Sequence, residues 1–210
     1  MYQGFRALIR LLLHLVMRLE VVGAENFPES GPYILTTNHL STFDTPLLFT
    51  VCPHRIRALA ASKHRPHPFY GPLLSIMGSI WVRRGEIDRE ALRGAMAVLK
   101  EGQVLGMAPE GTRARGTYAL QEGKDGPAYI ATRTDSLIVP VAITGTEQVK
   151  ECFPHLKRAT VRVVVGKPFR LPESGRVRGP KLTEFTEIIM LHIAEMLPEA
   201  YRGVYADRVS

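Results

Sequence analysis

Short β-branched, apolar runs alternate with amphipathic helical patterns along this chain, and that alternation limits its architecture more than any other feature. Residues 33–37, 56–60, 103–108, 137–143 and 160–166 read as strands. Residues 79–82 add a short strand, and residues 19–23 add a short edge strand. Helical patterns lie between them. One opens at Thr45, one covers residues 69–77 with Gly78 closing it, and one runs from an Asp88 cap to Gly102. Two more cover residues 126–132 and 181–197. Strands and helices in this order predict an α/β fold: a single domain with a mixed, mostly parallel central sheet flanked by helices. The run 137–143 is apolar throughout, as suits a strand covered on both faces. Arg162 is expected to point outward at a margin of the sheet.

A chain of 210 residues is long enough for one such domain with a sizeable core. The formal charge of +7 favours an anionic partner, whether nucleic acid, an acidic lipid surface or a phosphorylated substrate. Nucleic-acid binding would want basic residues interleaved with aromatics, and no such run occurs. Cys52 and Cys152 have neither metal-type spacing nor a disulfide framework, which points to a reducing compartment. His64-Arg65-Pro66-His67 reads as a loop, because its proline disfavours a helical face carrying two metal ligands.

Residues 1–20 form a segment of their own ahead of a domain spanning residues 21–210. Its apolar stretch is interrupted by Arg6, Arg10, His14 and Arg18, which recur every fourth residue and so make a slowly drifting basic stripe on a helix. The run is too short and too charged for a membrane span, which needs about 20 mostly apolar residues. Arginines inside the apolar region also argue against a cleaved signal peptide. Two readings stand. The helix lies on an anionic membrane surface with its basic residues on lipid phosphates, or it packs on the domain with a solvated polar stripe.

The chemistry-bearing residues cluster where strands end. Asn38-His39-Leu40-Ser41-Thr42-Phe43-Asp44 follows the strand 33–37 and precedes a helix, at the kind of corner where open sheets hold ligands. Positions five apart lie about 140° apart around a helix. His39 and Asp44 therefore converge only if His39 precedes the helix and Asp44 lies in its first turn. One reading is a general base, His39, oriented by Asp44. The other is local: Ser41 as N-cap, with Asp44 as the acidic partner of a capping box. Arg83-Arg84 ends the strand 79–82, where it serves either to grip a phosphate or as solvated surface charge. Pro109-Glu110-Gly111-Thr112-Arg113 ends the strand 103–108, with Arg115 close behind. Glycine, hydroxyl and guanidinium at such a corner suit an anion site.

Taken in order, these blocks resemble the glycerolipid acyltransferase family, specifically the bacterial 1-acyl-sn-glycerol-3-phosphate acyltransferases. The likeness runs from about Val22 to about Gly166. It rests on His39 to Asp44, on Gly78 to Arg83, on Ala108 to Gly116, and on Ile138 to Ala142. Two departures stand out. Ala108 replaces a commonly aromatic residue, and the loop after the third block keeps only Lys124 and Gly126 of its usual pattern. The resemblance implies transfer of a fatty acyl group from acyl-CoA or acyl-carrier protein to the free hydroxyl of lysophosphatidate. His39 would be the catalytic base and Asp44 its partner. Arg83, Gly111, Thr112 and Arg113 would bind the acceptor's phosphate, while Glu110 would shape the loop or bind the glycerol moiety. The same motifs serve other acceptors: glycerol-3-phosphate, another lysophospholipid or an acyl-amino acid. A non-catalytic binder of anionic lipid is the rival outside the family. No metal or redox cofactor is implied, and the expected location is peripheral, on the cytoplasmic face of a membrane.

Overall fold

A computed structural model describes residues 2–68, 70–83, 85, 88–114 and 116–209. Arg84 and Arg115, read above as candidate anion ligands, lie outside the described residues, as does Phe69 at the expected start of a helix. The elements follow in order: α1 (Tyr2–Val16), β1 (Met17–Val22), β2 (Tyr33–Thr37), α2 (Asp44–Val51), β3 (Ile56–Ala61), α3 (Tyr70–Ile76) and β4 (Ile80–Val82). Then come α4 (Arg89–Lys100), β5 (Val104–Met107), α5 (Gly126–Thr134), β6 (Leu137–Thr144), α6 (Val149–Cys152), β7 (Ala159–Val165), α7 (Pro180–Ala194) and α8 (Glu199–Arg202).

Among the described residues the strands form one seven-stranded sheet in the order β1-β7-β6-β2-β5-β3-β4. Every neighbouring pair is parallel except β6 with β7, so the sheet is mixed and mostly parallel, as the alternation predicts. Side chains alternate across it. Leu35, Val139 and Val141 join Leu47, Phe49, Ile9 and Leu13 in a core under α1 and α2. Ile34, Leu105 and Ile138 face the other way, into a core with Val98, Ile130, Phe185 and Ile189 of α4, α5 and α7. Pro140 stands in an interior strand, where a missing N–H would normally break the ladder. Here it falls in a gap. The β7 ladder begins at Val141 opposite Val165, Phe169 bridges back to Ile138, and the Pro140 carbonyl still accepts from the Gly166 N–H at 2.8 Å.

Three expectations are corrected. Residues 17 and 18, read as part of the first helix, are strand: Met17 to Val22 pair residue for residue with Ala159 to Val164, so the edge strand expected from residue 19 begins two residues earlier. Arg162 is not at the margin, since β1 covers β7 on its outer side, and its guanidinium faces Glu20 of β1 at 3.7 Å. The basic stripe of α1 is also not uniform. Arg6 turns inward, donating to the carbonyls of Thr50 and Cys52 at 3.0 and 2.6 Å. These carbonyls close α2, where a cation is favoured by the helix dipole. No described helix is long and apolar enough to cross a membrane.

Candidate active site

The connections after β2 and β5 leave these adjacent strands in opposite directions, one into α2 on the first core and one towards α5 on the second. Such a switch point opens a crevice at the carboxyl ends of the strands. His39 stands just beyond β2, and the Pro109 to Arg113 corner just beyond β5.

Asp44, almost fully buried, is the first residue of α2 and organises this crevice. Its Oδ2 accepts from His39 Nδ1 at 2.7 Å and from the backbone N–H groups of Leu40 and Ser41 at 2.8 Å each. Its Oδ1 accepts from the Thr146 hydroxyl at 2.5 Å. The two sequence readings of this block therefore merge. Ser41 is not the N-cap of α2, a place taken by Phe43, because the turn at residues 42–43 delays the helix. Yet the serine Oγ accepts from the Phe43 N–H at 3.1 Å while Asp44 reaches back to the serine N–H, so the cap-like contacts place the carboxylate against the histidine. In the neutral tautomer that donates Nδ1–H to Asp44, Nε2 is the accepting nitrogen, on the far side of the ring from the carboxylate.

Glu110 is also buried and clamps the two corners together. Its Oε1 accepts from the His39 N–H at 3.0 Å and its Oε2 from the Gln121 N–H at 3.1 Å. The Ala114 N–H donates to the His39 carbonyl at 2.8 Å, so residue 39 is held on both sides of its peptide. Asn38 fixes the strand end below it, exchanging two 2.8 Å hydrogen bonds with the backbone of Ile143.

A cavity of about 1370 Å³ opens at this crevice, lined by His39, Asp44, Arg83, Glu110, Gly111 and Thr112. It exceeds the usual 300–1,000 Å³ of a single-ligand pocket. Its lining includes the apolar side chains of Leu35, Leu48, Ile56 and Met77, which belong to the core under α1 and α2. Gly106 also lines it, and a Cβ there would stand 2.7 Å from Ile56 Cγ2, so the position has no room for a side chain. Arg83 is held by Asp88, which accepts from its backbone N–H at 2.9 Å and lies 3.6 Å from its Nε. Arg113 follows Thr112 but is not part of the cavity wall.

A family model described as Acyltransferase matches residues 18–144. The chain belongs to that family. Its acyltransferase relatives include the 1-acyl-sn-glycerol-3-phosphate acyltransferase of Borreliella burgdorferi, 35% identical over 147 residues, covering 67% of this chain and 57% of that protein. The enzyme of the same name from Bacillus subtilis is 24% identical over 93% of this chain and 96% of its own length. The crystal structure of the 1-acyl-sn-glycerophosphate (LPA) acyltransferase PlsC from Thermotoga maritima superimposes with a TM-score of 0.69 at 23% identity, over 90% of this chain and 76% of that one, and shares the fold.

Two contacts of this candidate site have no local sequence signature. Thr146 acts on Asp44 from 102 positions away, and only the bend at Gly145 gives it access. Gly145 has φ 88°, and a Cβ there would lie 2.0 Å from the Thr160 carbonyl oxygen. Asn38 was in view within the motif, but its bond to β6 spans 105 positions and has no local signature. Burial of Glu110 pushes its carboxyl up from 4.5 to about 7, against the lowering effect of the Gln121 and His39 N–H groups. The sign follows. Between these values the folded chain keeps a proton that the unfolded chain has released, so stability falls as pH rises through the window. The integrated effect between pH 5 and 8 is roughly 2–3 kcal/mol. Glu110→Gln removes this titration, so its denaturant midpoint should vary less with pH than that of the wild type. Parallel profiles from pH 5 to 8 would remove Glu110 as the cause.

Proposed function

We propose that this protein transfers a fatty acyl group from acyl-CoA or acyl-carrier protein to the free hydroxyl of lysophosphatidate, giving phosphatidate. The observation that carries the reading is the buried Asp44 brace holding His39 Nδ1 at 2.7 Å, with Nε2 left for the cavity. An alcohol is a weak nucleophile and needs a base as it attacks. His39 Nε2 takes the hydroxyl proton while the acceptor oxygen bonds to the thioester carbonyl carbon. The tetrahedral intermediate then collapses, the carbon–sulfur bond breaks, and the imidazolium returns the proton to the departing thiolate. Asp44 stabilises the imidazolium between these steps. The nucleophile belongs to the substrate, so no acyl-enzyme is required.

Arg83 and the Gly111 to Arg113 corner would hold the acceptor's phosphate and so set the distance from its hydroxyl to His39. Glu110 would act through the backbone of His39 and Gln121, since those donors already occupy its oxygens. The apolar lining of Leu35, Leu48, Ile56 and Met77 would take an acyl chain. The name 1-acyl-sn-glycerol-3-phosphate acyltransferase carried by the relatives favours lysophosphatidate over other acceptors. Purified protein supplied with acyl thioesters and a panel of lysophosphatidate, glycerol-3-phosphate, lysophosphatidylcholine and acyl-amino acids, with products weighed by mass spectrometry, tests it. Phosphatidate as a minor product would reject the assignment.

The same reading lays α1, the helical part of the segment 1–20, against an anionic membrane, while residues 17–20 join the sheet of the acyltransferase domain. Leu8, Leu11, Leu12 and Leu15 are all more than half exposed on α1, and at spacings of three and four they share one face. Arg10 and His14 border it. Leu156, 95% exposed with φ 52°, and Phe153 add an apolar tip next to Lys150 and Lys157. This tip follows the carboxyl end of β6, which is parallel to β2 and so ends on the side where the cavity opens, and Arg158 donates to the carbonyl of Met17, the first residue of β1, at 2.8 Å. Burying a leucine is worth about 1.5–3 kcal/mol. Leu11→Asp with Leu15→Asp should therefore lower partition to phosphatidylglycerol vesicles at least tenfold (order of magnitude), measured by co-sedimentation. Unchanged sedimentation would reject α1 as the contact.

A further inference from the structure

We infer that Tyr129, Arg133, Arg176 and Arg178 form a nucleotide-phosphate subsite, which takes the phosphorylated nucleotide end of the acyl thioester donor. The inference rests on the acyl-transfer reading and adds to it a location for the half of the donor that does not react. All four residues line the cavity. Tyr129 and Arg133 are four apart on α5 and so share a face, with the guanidinium carbon 5.3 Å from the ring centroid. Arg176 and Arg178 come from the loop between β7 and α7. Val177 between them is buried in the core under α4, α5 and α7, which anchors the loop and turns both arginines out of that core. The Gly175 N–H donates to the Thr132 carbonyl at 2.7 Å and ties the loop to α5 beside Arg133.

The charge on this wall is unbalanced. Among the described residues, Arg133, Arg176 and Arg178 have no carboxylate and no hydrogen-bond acceptor, whereas nearby Arg170 and Lys181 pair with Asp135 and Glu173. Asp125 also lines the cavity, but its carboxylate accepts from the hydroxyls of Thr186 at 2.7 Å and Thr183 at 3.5 Å. Three like charges on one wall repel, and a polyanion relieves that cost while satisfying several guanidinium donors at once. The proposed function already assigns the acceptor's single phosphate to another part of the cavity, lined by Arg83, Gly111 and Thr112. The aromatic ring decides the class of ligand. A phosphorylated nucleotide brings both phosphates for the arginines and a base to lie on Tyr129. A concave wall suits such a molecule better than the convex surface of an acidic carrier protein.

The test compares wild type with Arg176→Ala/Arg178→Ala, whose exposed side chains leave the fold intact, as a melting curve will check. Steady-state rates are measured with acyl-CoA, with acyl-pantetheine, which lacks the nucleotide, and with acyl-carrier protein. The double variant should raise KM for acyl-CoA at least ~10-fold, leave KM for lysophosphatidate unchanged, and match wild type with acyl-pantetheine. Adenosine 3′,5′-bisphosphate should compete with acyl-CoA in the wild type and bind at least ~10-fold more weakly to the variant by calorimetry. An unchanged donor KM, an equal rise in the acceptor KM, or the same loss with acyl-pantetheine overturns the subsite. So does a wild type that accepts only acyl-carrier protein and does not bind the bisphosphate. The calorimetric arm needs no turnover, so a protein that binds the bisphosphate through these arginines but acylates none of the acceptors refutes the proposed reaction and keeps the subsite.

Discussion

His39→Ala should lower kcat for acyl transfer by about 10²–10⁴-fold, the range that a positioned general base contributes, with KM for both substrates nearly unchanged. The structure gives a reason to expect this without unfolding. The removed imidazole takes away one of three donors to Asp44 Oδ2, but the Leu40 and Ser41 N–H groups remain on that oxygen and the Thr146 hydroxyl remains on Oδ1. The buried carboxylate is not orphaned, so the stability cost should stay near that of one hydrogen bond, about 1 kcal/mol. The backbone of residue 39 keeps its own partners, Glu110 Oε1 on the N–H side and the Ala114 N–H on its carbonyl. The decisive measurement is kcat with saturating acyl donor and acceptor, alongside a thermal melt. Near-normal turnover in a folded variant would remove His39 from the chemistry.

What the sequence made legible is what depends on neighbours along the chain. The strand runs, the Asp88 cap and the glycine after α3 are all local signals. Asp88 does accept from the Ala91 N–H at 3.1 Å, and Gly78 does adopt φ 72°. The approach of His39 to Asp44 was legible for the same reason, since a histidine before a helix and a carboxylate in its first turn are brought together by the corner itself. What stayed hidden depends on partners far along the chain. Nothing near residue 17 says that it must end a helix, because the strand at Ala159 imposes that boundary. Nothing near Thr146 marks it as the second support of Asp44. Arg113 carries the motif that the resemblance implies for phosphate, yet the cavity wall includes Arg176 and Arg178 from the loop between β7 and α7 and not Arg113. Residue identity signals chemistry, but only the fold decides which cations share a cavity.

Asp44→Asn should lower kcat by about 10²–10³-fold (an order-of-magnitude expectation from electrostatic stabilisation of a charged intermediate), and it separates two roles of the carboxylate. In many settings an amide at this position would force the histidine into the wrong tautomer, because its NH₂ cannot accept from Nδ1–H. Here the wiring of the two oxygens differs. Oδ2 receives three donors, His39 Nδ1 and the N–H groups of Leu40 and Ser41, while Oδ1 receives only the Thr146 hydroxyl. An asparagine can keep its carbonyl towards the three donors and turn its NH₂ towards Thr146, whose hydroxyl can rotate to accept. Orientation and tautomer then survive, and what is lost is the negative charge that stabilises the imidazolium. Asp44→Ala removes both, leaves buried donors unpaired, and should lose more activity along with stability. The two-step order, wild type above Asn above Ala in kcat with only Ala strongly lowering the melting temperature, is the expected pattern. Adding Thr146→Val to Asp44→Asn should then cost further stability, because the buried amide loses its acceptor. If Asn and Ala are equally inactive, Asp44 acts through its charge alone. If Asn retains full activity, the charge has no part in the reaction.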